Sequence, residues 1–156
     1  MPSQSKQTLV ATAADAYRLN VLGHVVNVKL GKTQTQGDVF MFEVVSPAGL
    51  AVPPHAHQNE DEYGYVTEGT YECVLDGRAF VAKAGDVVYC PRHTSHGFRN
   101  IGTTTAKMVW VSTPGAAVEA FFNDLGALPA NEPPDMQRLL AIFAKYEIAV
   151  VAPQAA

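Results

Sequence analysis

One stretch decides the fold: PPHAHQNEDEYGYVTEG, residues 53–69. It places His55 and His57 one residue apart in an extended run. Because side chains at i and i+2 of a strand share a face, both imidazoles can converge on one point. Glu62 follows a short polar turn at the start of the next strand-like run, and it reaches the same point if the two strands pair. The histidine pair alone is a weak signal, since two such residues can also lie on a strand edge.

A further histidine, His96, lies in PRHTSHGFRN, residues 91–100, after a tight turn built on Pro91. Three imidazoles and one carboxylate suit a first-row transition metal, namely iron, nickel, cobalt, manganese, copper or zinc. They do not suit calcium or magnesium, which prefer oxygen ligands. Four protein ligands leave two positions of an octahedral ion open, so this donor set favours a catalytic site over a purely structural one.

Composition narrows the class of protein. The chain has 156 residues, 47% of them hydrophobic and 17% charged, so we expect one globular domain over residues 1–156. The net charge of -4 gives no electrostatic footprint for nucleic acid. No apolar run could span a bilayer, and the polar start MPSQSKQT does not resemble a secretory signal. We therefore expect a cytoplasmic protein without a nucleic-acid or membrane partner, whose two cysteines, Cys73 and Cys90, are buried free thiols, although a disulfide stays open.

The hydrophobic pattern divides the chain into a strand-rich part and a helical tail. Short runs rich in Val, Tyr, Phe and Thr predict a sandwich or barrel with its core at about residues 18–112. Asp76-Gly77 is a strong hairpin signal between two of these runs. In the tail, about 113–156, we predict a helix capped by Thr113 that ends near Gly126 and a second helix that starts near Asp135. Residues 147–153 are predicted to form a short terminal strand or an extended arm.

The histidines and Glu62 belong to two longer motifs with regular spacing. The first is Gly, five residues, His-x-His, then Glu and Gly, and the second is Gly, Pro, His and Asn. The matching residues are Gly49, His55, His57, Glu62 and Gly69 for the first motif and Gly85, Pro91, His96 and Asn100 for the second. These are the two cupin motifs, and the whole chain resembles small single-domain cupins related to bacterial quercetin 2,3-dioxygenase. One position departs from the pattern: His93 stands where the second motif has glycine. We interpret His93 as a turn residue and not as a fifth ligand, because His tolerates a positive φ better than most residues.

The resemblance implies an all-β fold, the double-stranded β-helix or jelly-roll barrel, with a short C-terminal helical tail. It implies that His55, His57, Glu62 and His96 are ligands of one divalent transition metal per chain. It also implies a homodimer, and the apolar run 19–28, interpreted as one strand, favours such a partner.

Residues around the predicted site suggest a pocket. Strand periodicity places Phe98 on the same face as His96, and it turns Met108 and Trp110 inward if Lys107 faces solvent. These three side chains would make an apolar wall for a flat substrate, although each could also be ordinary barrel core. The remaining histidine, His24, is interpreted as packed or surface-facing.

The first hypothesis for function is a metal-dependent dioxygenase of the quercetinase type, which acts with O2 on a small aromatic or enol-type substrate. In it, Glu62 is both a metal ligand and the base that takes the substrate hydroxyl proton. The alternatives are an isomerase or lyase that uses the metal as a Lewis acid, and a non-enzymatic cupin that binds a small ligand. The fold hosts many functions, so the family alone does not name the reaction.

Overall fold

The computed structural model describes residues 6–151, and within this range eleven strands form two antiparallel sheets. In chain order they are β1 (Tyr17–Val21), β2 (His24–Leu30), β3 (Phe40–Ser46), β4 (Ala51–His57), β5 (Asp61–Glu68), β6 (Thr70–Leu75), β7 (Arg78–Lys83), β8 (Val87–Cys90), β9 (His96–Asn100), β10 (Ala106–Thr113) and β11 (Ile148–Val150). The six-stranded sheet has the order β1-β2-β3-β10-β5-β8, and the five-stranded sheet has the order β11-β4-β9-β6-β7. The fold is the expected jelly roll.

The core lies between the inner faces of the two sheets. Along β10, buried and half-buried residues alternate strictly, which is the period of two that a strand with one inward face requires. Val26 and Phe40 from one sheet and Tyr71 from the other are completely buried. Cys73 and Cys90 are buried free thiols, as the sequence predicts.

Turn chemistry fixes the hairpins. Asp76 and Gly77 join β6 to β7 with φ of +46° and +78°, the pair of positive values that a tight two-residue hairpin turn needs. This prediction is confirmed. His93 also has a positive φ, +69°, in the turn between β8 and β9, as expected for a turn residue.

The apolar run 19–28 is not one strand, as the sequence analysis assumed, but parts of β1 and β2. Leu22 and Gly23 connect the two strands with φ of +49° and +89°. The inner valines of this hairpin, Val21, Val26 and Val28, pack in the core of the same chain. The run therefore buries its own inner face and no longer argues for a partner. The homodimer stays a prediction that rests on resemblance.

The helical tail packs against strands of both sheets. Its first helix, α2 (Ala116–Gly126), ends as predicted but starts later, with Gly115 as N-cap. Thr113 does not cap it, because Thr113 is still paired with Asp61 as the last residue of β10. The second helix, α3 (Met136–Lys145), begins as predicted, and the Asp135 side chain accepts hydrogen bonds from the first turn.

A short helix, α1 (Lys32–Thr35), and a 3-10 turn at Ala13–Asp15 were not predicted. After α3, strand β11 pairs with β4 and places Ile148 opposite His57, so the tail is fixed to the strand of the two histidines. The domain limits stay a prediction. No helix within residues 6–151 has the length and apolar character needed to cross a membrane.

Candidate metal centre

Two facing sheets bring the four predicted ligands together. β4 supplies His55 and His57, and its neighbour β9 places His96 directly opposite His55 in the strand register. Glu62 comes from β5 in the other sheet. One ligand atom from each of the four residues lies within 4.8 Å of all the others. Three of the residues, His57, Glu62 and His96, are at most 4% exposed, so the cluster lies inside the barrel.

Glu62 contacts two of the three histidines of the cluster. Its Oε2 atom lies 2.9 Å from Nε2 of His96 and 3.2 Å from Nε2 of His57. Its other oxygen, Oε1, accepts a 2.6 Å hydrogen bond from the hydroxyl of Ser112. One carboxylate oxygen is therefore held by the protein, while the other faces the imidazoles.

The opposite nitrogen of each imidazole faces a protein acceptor. His57 Nδ1 lies 3.2 Å from the buried carboxylate of Glu60, and His55 Nδ1 lies 3.0 Å from the carbonyl of Pro53. His96 Nδ1 has a longer contact, 3.4 Å, to the carbonyl of Thr94. Such contacts favour the tautomer that carries hydrogen on Nδ1 and leaves Nε2 free to bind a metal.

Sequence reasoning missed Glu60 and Ser112. Glu60 is only three residues from His57, but it lies in a polar turn whose sequence is typical of a solvent-facing loop. Ser112 continues the inward alternation of Trp110 on β10, and this period-two position was the available signal.

Burial and neighbouring charges shift the pKa values of the clustered residues in different directions. Burial alone would lower the pKa of His57, but the charge of Glu62 and the hydrogen bond to Glu60 outweigh it and raise that pKa to about 9. Burial would likewise raise the pKa of Glu62, yet His57 and His96 hold it well below its ordinary value. Burial and the two neighbouring imidazoles lower the pKa of His55 to about 3. A neutral imidazole and an ionised carboxylate are the forms that bind metals, so His55 and Glu62 are ready for binding and His57 must release a proton.

The donor set fits a transition metal. Imidazole nitrogen with one carboxylate suits iron, nickel, cobalt, manganese, copper or zinc, and the cluster lacks the oxygen-rich shell that calcium or magnesium requires. His93 is not part of the cluster, which agrees with its interpretation as a turn residue.

A cavity of about 190 Å³ opens beside the cluster. Phe98 and Trp110 line it, whereas Met108 is completely buried and is not among the lining residues. The indole of Trp110 stacks on two rings of β9, with its centroid 5.9 Å from that of His96 and 5.7 Å from that of Phe98. These rings form a continuous aromatic wall that starts at the candidate metal site.

The helical tail covers the cavity, which the sequence did not predict. Four apolar side chains of α3 line it: Met136, Leu139, Leu140 and Phe143. Leu139 is buried, whereas Met136 and Leu140 are each at least half exposed. The helix that covers the cavity therefore also borders solvent. His24, interpreted from sequence as a packed or surface residue, is buried and also lines the cavity.

Comparison with known proteins agrees with this arrangement. Residues 41–112, which hold both motifs and all four clustered residues, match the family model of the cupin domain. This part of the chain is similar to cupin domains. The match is centred on the barrel strands β3 to β10, and it leaves out the helical tail that covers the cavity.

Several proteins are similar to this chain. Polyketide synthase CurC of Streptomyces cyaneus is 35% identical over 75 residues, which are 48% of this chain and 49% of that protein. Quercetin 2,3-dioxygenase of Bacillus subtilis is 27% identical over 117 residues, 75% of this chain and 34% of that protein. The matches therefore span only a third to a half of these relatives. The solved structure of KdgF from Halomonas superposes with a TM-score of 0.60 at 22% identity, covers 69% of this chain and 94% of that one, and shows the likeness of fold.

Proposed function

We propose that this cupin is a metal-dependent dioxygenase of the quercetinase type, which acts with O2 on a small, uncharged aromatic or enol-type substrate. The observation that carries the proposal is the position of three imidazoles and one carboxylate at one end of an apolar cavity with an aromatic wall. The similarity to quercetin 2,3-dioxygenase, at 27% identity, supports the reaction type.

In this proposal His55, His57, Glu62 and His96 hold one divalent transition metal per chain. A metal held there would supply Lewis acidity at the coordination positions that four protein ligands leave open. The contacts of Glu60, Pro53 and Thr94 behind the imidazoles keep the ligand rings oriented.

Glu62 is the proposed base. Its carboxylate is ionised, because the two imidazoles lower its pKa, and it can therefore accept the hydroxyl proton of an enol or catechol substrate. Ser112 fixes one carboxylate oxygen, so the second oxygen stays with the imidazoles of His57 and His96 at the cavity wall. The ring of the substrate packs against Phe98 and Trp110, and the apolar face of α3 limits the access of water.

The charge of the cavity selects the substrate class. Among the described residues that line it, the ionisable side chains are His24 and the four residues of the cluster, and there is no lysine or arginine. A substrate carboxylate or phosphate remote from the metal would be left without a cation in an apolar environment, which costs several kcal/mol or more. A neutral, flat molecule fits this cavity better than an acidic sugar or a dicarboxylic acid.

The experiment combines metal analysis with an oxygen-uptake screen. Protein purified without a metal-binding tag should contain one transition metal per chain and should consume O2 with at least one flavonol or catechol. The matched variants are His96→Asn and His93→Asn, because both histidines lie in the same turn region but only His96 belongs to the cluster. We expect His96→Asn to lose metal and oxygen uptake and His93→Asn to keep both. Equal metal content in the two variants would contradict the assignment of the site.

One observation favours a second candidate, an isomerase or lyase in which the metal is only a Lewis acid. A general base works best when its pKa lies near the working pH, and the pKa of Glu62 is held well below its ordinary value. Metal-loaded protein that converts an enol or keto substrate without oxygen uptake would support this candidate. A loaded site without any turnover would instead support a non-enzymatic ligand-binding cupin.

A further inference from the structure

A second polar feature of the cavity lies away from the metal cluster. His24, on β2, is 3% exposed and lines the cavity. Its ring contacts Phe98 at a centroid distance of 6.1 Å, and Phe98 in turn stacks on Trp110, which stacks on His96. The carbonyl that His24 contacts belongs to Ala51, four residues before His55 on β4, so His24 lies at the other end of the aromatic wall from the cluster.

A buried hydrogen-bond chain sets the tautomer of His24. The Tyr71 hydroxyl donates to Ser46 Oγ at 3.2 Å, and Ser46 Oγ lies 3.1 Å from His24 Nδ1. Because Ser46 accepts from Tyr71, its own hydrogen is free to point at Nδ1, which then acts as an acceptor. Burial lowers the pKa of His24, so the ring is neutral and its hydrogen is on Nε2.

The Nε2–H group of His24 is poorly satisfied by the protein. Its partner is the carbonyl of Ala51 at 3.4 Å, which is longer than the ~2.7–3.2 Å of ordinary N–H···O bonds. Ala51 lines the cavity together with His24, whereas Ser46 and Tyr71 do not, so Nε2 is the nitrogen on the cavity side. A buried donor with a weak partner in an apolar wall gains free energy when a ligand offers a better acceptor.

We infer that His24 donates a hydrogen bond from Nε2 to a ligand, at the end of the ligand that lies away from the His/Glu cluster. The cavity then takes flat, uncharged, largely apolar molecules that carry a neutral acceptor, such as a ketone or ether oxygen, at that end. The inference deepens the proposed function, because it takes the same cavity as the substrate site, but the binding it describes needs neither a reaction nor a ligand oxygen on the metal.

The test uses two probes of nearly the same shape, 4-acetylbiphenyl and 4-isopropylbiphenyl, of which only the ketone carries an acceptor. Trp110 is the single tryptophan of the chain and lies in the cavity wall, so its fluorescence reports binding. The measured quantity is the ratio of the two dissociation constants, alkyl over ketone. One neutral hydrogen bond corresponds to about a 2- to 10-fold preference for the ketone.

Two variants of His24 separate the donor from the shape of the side chain. His24→Leu removes the donor and should lower the ratio by about 2- to 10-fold, whereas His24→Gln keeps an N–H group and should retain part of the preference. A ratio that is the same in wild-type protein and in His24→Leu would overturn the inference. So would the absence of any fluorescence change with both probes, since the cavity would then not take this class of molecule.

A measurement on wild-type protein covers the case in which the variants do not fold. In ¹⁵N-labelled protein, the ketone should shift the Nε2 resonance of His24 and the alkyl probe should not. Equal shifts with both probes would overturn the inference. The outcome is distinguishable from that of the proposed function: oxygen uptake without ketone preference removes only the role of His24, and ketone preference without oxygen uptake removes only the dioxygenase.

Discussion

Replacing Glu62 by glutamine separates its two proposed roles, metal ligand and base. The substitution keeps the size of the side chain, and Ser112 can still donate to the amide oxygen, so the position of the group is preserved. The amide is a poorer metal donor than the carboxylate, and it cannot accept the proton of a substrate hydroxyl. We therefore expect weaker metal binding, which excess metal restores, and a loss of rate that excess metal does not restore.

The size of the loss follows from what else lines the cavity. Among the described lining residues Glu62 is the one carboxylate, since Glu60 is buried behind His57. No second carboxylate can take over, so the variant should lose the full contribution of a general base, about 10²- to 10⁴-fold.

The assay is the single-turnover rate at saturating metal, on the substrate found by oxygen uptake, with the metal content measured on the same sample. Glu62→Asp keeps a base that is one methylene shorter and should retain part of the rate. The matched control is Glu68→Gln, the same substitution on the same strand, because Glu68 is exposed and pairs with Lys107 at the surface. It should leave both rate and metal content unchanged.

Full activity in metal-loaded Glu62→Gln would refute the reasoning. Glu62 would then be a ligand only, and its low pKa would be explained by that role alone. The result would move the preference to the Lewis-acid isomerase or lyase, or to simple ligand binding.

Three further predictions follow from other parts of the molecule. In metal-free protein, the pKa of His57 is raised from 6.5 to about 9, so its contribution to stability is complete below pH 6.5 and is lost as the pH rises through 9. Since metal displaces this proton, the rise in Tm on adding nickel should grow between pH 6.5 and 9, and an equal rise at both pH values would contradict this. Burial raises the pKa of the Cys73 thiol to about 11 and that of Cys90 to about 12. Neither cysteine should therefore react with a thiol reagent at pH 8 until the protein unfolds. Fast labelling of the native protein would show that one of them is accessible. Sedimentation at micromolar concentration should give a homodimer, and a monomer would show that the family resemblance does not extend to assembly.

Much of the barrel could be predicted because its signals are local. The His-x-His pair points to one face since a strand repeats every two residues, and Asp76-Gly77 specifies a tight hairpin through its positive φ values. Asp135 marks the start of α3 because a short carboxylate accepts hydrogen bonds from the first turn of a helix. The spacing of the two motifs added the long-range step from His55 to His96, which local periodicity could not supply.

Errors arose where two local interpretations were equally good. The run 19–28 is rich in valine and leucine and is compatible with one strand, but it turns at Leu22-Gly23, where leucine takes a positive φ that it rarely adopts. Thr113 is a good helix cap in sequence, yet pairing with Asp61 keeps it in β10. Met108 shares the inward face of β10 with Trp110, as predicted. However, an inward direction on a strand does not tell whether a side chain fills the core or lines the cavity.

The strand-rich fold and the four residues that meet at the candidate metal site can be predicted from the sequence, because they depend on periodicity, turn chemistry and motif spacing. The surroundings of that site become visible only in the folded chain. Glu60 behind His57, Ser112 on Glu62, His24 at the far end of the cavity and α3 across it are ordinary residues in ordinary local patterns. Their roles come from packing between segments that are distant in the chain, where distance and direction decide the chemistry and no local pattern records them.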